Sequence, residues 1–114
     1  MFERIDTICI TVSNLKLSSD WYHNVLGFTV SFSGEGYQIL HVGKGSVPLT
    51  IEEGDTSRHT NHSYPIFFTT NIRDAYQTIS EKGIKVSELQ NDGKNIYFEF
   101  YDLDNNKLQV CYYE

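Results

Sequence analysis

Asn14 and Asn71 stand 57 residues apart in a chain of 114, and Gly27 and Gly83 stand 56 apart. Each asparagine can accept a hydrogen bond from a free backbone N–H at a helix start, and each glycine can enter the left-handed conformation that ends one. Between them lie runs with helical spacing: Leu17, Trp21 and Val25 with Tyr22 and Leu26, then Ile72, Ala75, Tyr76 and Ile79. Asp74 adds negative charge to the first turn of the second run, where the helix dipole favours it. A β-rich stretch precedes each helix, residues 5–12 and 66–70. Strand-like segments follow at 29–32, 36–42 and 47–52, and again at 84–89, 95–101 and 107–113, divided by Gly, Asn and Asp. A repeat of half the chain length dictates a duplicated β-α-β-β-β unit. At 13.2 kDa there is core enough for one domain. The expectation is a single domain over residues 1–114, with module one at 1–54, a polar linker at 55–63 and module two at 64–114.

Alternation divides each strand into two faces. Ile8, Ile10 and Val12 share one face of the first strand, and Thr7, Cys9 and Thr11 the other. Setting Val42 opposite Val47 brings Leu40 against Leu49 and Gln38 against Ile51, an aliphatic face for the helix. The opposite face then pairs His41 with Pro48, Ile39 with Thr50 and Tyr37 with Glu52. A slip of one residue would exchange the faces. Setting Asp102 opposite Lys107 in the last hairpin puts Phe100 across from Gln109 and Phe98 across from Cys111, and sends Glu99 to the helix side. Each module then has one greasy face and one mixed polar–aromatic face, and two mixed faces brought together would make a cleft.

Composition narrows the function. The net charge is −6 and the pI about 5.1, a surface that a phosphate backbone repels, so nucleic acid is not the expected partner. Two cysteines, Cys9 and Cys111, build no disulfide framework. No apolar run approaches the roughly 20 residues of a membrane span, and the first residues lack the layout of a signal peptide. The expectation is a cytoplasmic protein without membrane contact. No Gly-x-Ser-x-Gly elbow and no phosphate-binding glycine loop occur.

Three segments carry a family resemblance. Val12-Ser13-Asn14-Leu15 through Ser18 to Trp21-Tyr22, ending in Leu26-Gly27-Phe28, is similar to the pattern Val-x-Asp-Leu, Ser, aromatic-Tyr, Leu-Gly-Phe. Asn71-Ile72 with Ala75-Tyr76 and Gly83-Ile84 resembles the helix of a second module. The run from Asp102 through Leu103, Asp104, Asn105, Asn106, Lys107 and Leu108 to Gln109 resembles an Asp-Pro-Asp-Gly-Asn-x-x-Glu turn and strand. In this order they resemble the vicinal oxygen chelate superfamily of glyoxalases, extradiol dioxygenases and the fosfomycin and bleomycin resistance proteins. The fold implied is α+β, two β-α-β-β-β modules forming a curled-sheet cleft, in members that pair modules within a chain or across a dimer.

The resemblance also implies where a divalent metal would bind. The four positions fall at Thr7, at Glu52 or Thr50, at Tyr64 and at Gln109. Divalent ions want imidazole, carboxylate or thiolate donors, and only Glu52 is one. The expectation is therefore no metal and no cofactor. Cys9 and Cys111 with Glu52 or His41 would suit zinc, but their spacing matches no local zinc motif, and two small buried cysteines are the plainer reading. His23 is expected on the helix surface, and His59 and His62 in the linker.

The expected function is a small-molecule-binding protein of the glyoxalase/bleomycin-resistance type that works without metal. Its cleft would be lined by Tyr37, Glu52, Tyr64, Phe68, Phe98, Phe100 and Gln109, a set of rings and one carboxylate suited to an aromatic or cationic ligand. The alternative is a metal-dependent lyase or dioxygenase of the glyoxalase type, with Glu52 as the catalytic group. A homodimer is expected, because symmetric dimers are the commonest oligomers and a core this small is marginal alone.

Overall fold

The structure is a computed structural model that describes residues 1–58 and 60–114. His59, expected in the linker, lies outside the described residues. The chain divides into two compact units, Met1–His59 and Thr60–Glu114. Each holds one four-stranded sheet, not closed on itself, and one helix, the mixed α+β architecture that the duplicated pattern requires.

Unit one comprises β1 (Ile8–Val12), α1 (Leu15–Leu26), β2 (Thr29–Gly34), β3 (Tyr37–His41) and β4 (Leu49–Glu53). The strand order is β1-β4-β3-β2, with β1 parallel to β4 and the other pairs antiparallel. Helix α1 starts where Asn14 Oδ1 accepts the Leu17 N–H at 3.0 Å and Glu53 Oε2 accepts the Leu15 N–H at 2.9 Å. Two of its four orphan amides are thereby satisfied. Gly27, at φ 74°, ends it. The first hairpin has the expected pairing: Leu40 faces Leu49, Gln38 faces Ile51 and Tyr37 faces Glu52. Val12, Leu40, Leu49 and Ile51 are buried with Tyr22 of the helix. The buried line of α1 runs through Ser18 and Tyr22, which stacks on Phe28 at 6.1 Å. Leu17, expected in the stripe, is exposed; the line is one residue round from the one its leucine suggested.

Unit two comprises β5 (Ile66–Phe68), α2 (Ile72–Glu81), β6 (Gln90–Asn91), β7 (Ile96–Tyr101) and β8 (Lys107–Tyr112), in the order β5-β8-β7-β6. Asn71 Oδ1 accepts the Asp74 N–H at 3.2 Å, and Ile72 and Ile79 are buried as the spacing predicts. Residues 84–89, expected as a strand, make only an isolated bridge from Val86 to Phe100. Ser87 explains the interruption. Its N–H donates to the Glu99 carbonyl at 2.8 Å, but its hydroxyl takes the Glu99 N–H at 2.9 Å, where a strand would offer a carbonyl. The ladder resumes only at Gln90.

The last hairpin departs from expectation by one residue. Tyr101 pairs with Lys107, Phe100 with Leu108, Glu99 with Gln109 and Phe98 with Val110. The turn is a three-residue loop, 103–105. Asp102 N donates to the Asn106 carbonyl, Asn105 N donates to the Asp102 carbonyl, and Asn105 sits at φ 62°. A loop closed by a left-handed residue is the common three-residue hairpin connection, and asparagine tolerates that conformation. The four-residue loop assumed from sequence overlooks it. Phe98 and Phe100 therefore do not share a face with Gln109. They are buried under α2, with Phe98 edge-on to Tyr76 at 5.0 Å. Glu99 moves to the opposite face.

Candidate functional site

Each unit leaves the face of its sheet away from the helix lined with polar and aromatic side chains. In unit one, Glu52 lies between Thr11 of β1 and Tyr37 of β3, and Cys9 pairs with Thr50 one step along. Glu52, Cys9 and His41 are exposed. Cys9 is therefore not the buried space-filler that its size suggested. Partial burial and then the Glu52 charge push its thiol pKa up. The Tyr37 ring lies over Gly34, its partner in the β2–β3 pair, where any Cβ would collide with it. Thr7 is closed to other partners by its neighbours: its hydroxyl lies 2.7 Å from that of Thr50 and donates to the Pro48 carbonyl at 3.0 Å. His23 stays on the helix surface, with Nδ1 2.9 Å from the Phe28 carbonyl oxygen.

In unit two, the corresponding face carries Tyr64 beside β5, Ile66 and Phe68 on β5, Gln109 and Cys111 on β8, and Tyr97 and Glu99 on β7. A cavity of about 410 Å³ opens between Tyr64, Tyr97, Glu99, Gln109, Cys111 and the β6–β7 turn at Asp92 and Asn95. Phe68 lies outside it, half-exposed against the Tyr112 and Tyr113 rings at 6.1 and 5.0 Å. Lys107 reaches across the strands, its Nζ 3.3 Å from Glu99 Oε1 and 4.1 Å from the Tyr64 ring centre. Burial works against the Lys107 charge, but the hydrogen bond and charge of Glu99 outweigh it and hold the pKa above the ordinary lysine value. Asp92 is held below the usual carboxylate range by the Asn95 and Lys94 backbone N–H groups. Burial raises the Cys111 thiol.

Of the residues named from sequence, Tyr37 and Glu52 meet on unit one, Tyr64 and Gln109 meet on unit two, and Phe98 and Phe100 are withdrawn into the core. Sequence reasoning missed Tyr97, Glu99 and Lys107. Their signal was the alternation Tyr97, Glu99, Tyr101, which the wrong loop length assigned to the helix side.

The four family metal positions do not make a donor set as they stand. The Thr7 hydroxyl is engaged, the Tyr64 ring carries the Lys107 ammonium, and Gln109 is a neutral amide opposite Glu99. Among the described residues no three His, Cys, Asp or Glu side chains gather closely enough to hold an ion.

Known proteins share the fold and much of the sequence pattern. The chain is 29% identical over 118 aligned positions, covering 96% of it and 84% of the relative, to a metallothiol transferase FosB of Staphylococcus epidermidis. A FosB of Staphylococcus haemolyticus is 28% identical over the same share. A putative glyoxalase family protein from Bacillus anthracis superposes with a TM-score of 0.85 at 16% identity, over 100% of this chain and 98% of that one. The fosfomycin resistance protein FosX of Listeria monocytogenes, solved with Mn(II) and sulfate, superposes at 0.83 and 16% identity, over 100% and 93%. These relatives overturn the expectation of no cofactor: FosB is a metallothiol transferase by name, and the FosX crystals hold manganese. Weak donor types at Thr7, Tyr64 and Gln109 were too narrow a ground for excluding an ion. The profile of the glyoxalase/bleomycin resistance protein/dioxygenase superfamily matches residues 4–110, nearly the whole duplicated frame, and the chain belongs to that superfamily.

Proposed function

We propose that the chain is a metal-dependent enzyme of the glyoxalase type acting on a small organic molecule, the alternative set out above in place of metal-free binding. One observation in the molecule supports it. Each sheet presents a thiol and a carboxylate diagonally across a strand pair on the face away from its helix, Cys9 with Glu52 and Cys111 with Glu99, but Glu99 holds Lys107, so the pair with a free carboxylate is that of unit one. These are the donor types that transition metals take. Neither pair completes a site within its unit. When bound, a divalent ion would polarise an oxygen of the substrate. The chain's own part is to place that substrate. Tyr37 and Glu52 in unit one, and Tyr64 and Gln109 in unit two, offer rings, one anionic acceptor and one amide that both donates and accepts. The metallothiol transferase relatives favour group transfer as the reaction class, in place of the lyase or dioxygenase that the alternative named.

The test is metal titration of the purified chain, followed by thermal unfolding and elemental analysis. Mn(II), Zn(II) or Ni(II) at one hundred times its Kd is expected to stabilise the fold by about 2.7 kcal/mol, and Glu52→Gln to weaken that binding at least tenfold. No stabilisation by any of the three ions would overturn the reading. A homodimer is part of the same proposal, and light scattering of the metal-loaded protein is expected to give about twice the 13.2 kDa chain mass. A monomer at about 100 μM would exclude it.

A further inference from the structure

The unit-two cavity carries a charge pattern that the family reading does not supply. Two carboxylates, Asp92 beside Lys94 and Glu99 beside Lys107, and two phenol rings, Tyr64 and Tyr97, line it, with amides from Asn95 and Gln109. Its volume, about 410 Å³, is that of a small-ligand pocket. One cation is already drawn to its wall. The Lys107 ammonium occupies a cradle made by Glu99 Oε1 at 3.3 Å and the Tyr64 ring at 4.1 Å. Carboxylate on one side and ring face on the other is the arrangement that binds an ammonium ion. Among the described residues no hydrogen bond or ion pair reaches Glu99 Oε2, whereas Asp92 is engaged by the Lys94 and Asn95 backbone N–H groups, the Asn95 side chain and the Lys94 charge. Glu99 therefore keeps an oxygen for a ligand.

We propose that this cavity selects a small organic ammonium ion carrying an apolar or aromatic body. The cationic head lies against Glu99, and the body lies against Tyr97 and Tyr64, with Gln109 accepting from the ammonium through its amide oxygen. A phosphonate or carboxylate in the same place would meet the like charge of Glu99, with Lys107 already committed to it. The substrate class thus differs from the fosfomycin that the FosX relatives resist. The inference rests on the chain binding a small molecule, but not on the metal.

The experiment is amide NMR titration of the full chain in EDTA at low salt. The ligands are 2-phenylethylammonium, its neutral counterpart 2-phenylethanol, and phenylphosphonate. The ammonium is expected to shift the Tyr97, Glu99 and Gln109 amides and to bind at least tenfold more tightly than the alcohol, with phenylphosphonate weaker still. Glu99→Gln is expected to weaken ammonium binding about tenfold, the factor for losing about 1.4 kcal/mol. Lys107→Met removes the resident competitor and is expected to tighten it severalfold. That opposite sign is one that a merely structural lysine would not produce. Phenylphosphonate binding as tightly as the ammonium, or Lys107→Met weakening it in a variant whose spectrum remains folded, overturns the inference while leaving the metal-dependent reading intact. If none of the three ligands shifts the cavity amides at 10 mM, a generous bound for a pocket of this kind, the cavity proposal falls. Stabilisation by metal ions then still decides the other reading.

Discussion

Phe98→Ala is expected to lower the stability of the protein by about 3–5 kcal/mol, the range for emptying a buried phenylalanine site. The ring is fully buried, edge-on to Tyr76 at 5.0 Å and 6.2 Å from Phe100, so its removal takes away the ring of β7 that Tyr76 of α2 packs against. The loss includes the transfer term and the cavity left beneath a helix that cannot fully collapse. Glu99→Ala, one residue on, points the other way and is expected to cost less than about 1 kcal/mol, because a partly exposed ion pair with Lys107 is worth little. Urea unfolding of both variants checks this. If Phe98→Ala were mild in stability but severe in ligand binding, the ring would face the ligand side and the observed register would be wrong. Phe98→Leu keeps the same sign at a smaller cost and covers the case in which the alanine variant does not fold.

The contrast between neighbours shows what the sequence carried and where it stopped. Caps and stop signals act within a few residues, so Asn14, Gly27 and Asn71 identified both helices, and their spacing identified the duplication. The β3–β4 register followed from aliphatic residues on one strand face, because Leu40, Leu49 and Ile51 have one burial solution. The β7–β8 register had no such guide. In β7 the residues Tyr97 to Tyr101 are aromatic on both faces, so hydrophobicity does not distinguish in from out, and only the loop length decides. That length turned on Asn105 adopting a left-handed conformation, a property asparagine permits without announcing. Phe98 and Phe100, two of the seven site residues named, were misplaced for this reason alone. With the three-residue loop, Glu99, Gln109 and Lys107 come together from a strand pair that had seemed to carry two phenylalanines into the cleft. Metal binding was illegible for a different reason. Residue types at four positions do not reveal which other donors a fold can recruit, and the indication of a metal comes from the metallothiol transferase name of FosB and the Mn(II) in the FosX crystal.

Asp102→Ala is expected to cost about 3 kcal/mol and to disturb the site from a distance. Asp102 and Asn106 are both buried at the β7–β8 turn. The Asp102 carboxylate accepts from Asp104 N and Asn106 N through Oδ1, and from Asn106 Nδ2 through Oδ2, each at 2.9 Å. Hydrogen bonds to a charged group are worth about 1.5–3 kcal/mol apiece, though they do not add when they share one acceptor. Alanine leaves two loop N–H groups and a buried amide without that partner, and the penalty for orphaned donors dominates the loss of the bonds themselves. Asp102→Asn keeps an oxygen for the backbone but turns an NH₂ toward the Asn106 NH₂, so it is expected to recover about half of the loss. The effect on the site follows from the register. This turn holds the loop at three residues, and Asn61 braces it, accepting from Lys107 N at 2.9 Å and donating to the Asn105 carbonyl at 3.0 Å. Loosening it lets β8 slip against β7, and a one-residue slip moves every side chain of β8 to the other face. Urea unfolding with amide exchange at Asn106 and Lys107 tests both parts. Asp102→Ala should speed exchange there and weaken the Lys107 contact with Glu99, whereas loss of stability with that contact intact would mean that Asp102 supports the core without setting the register.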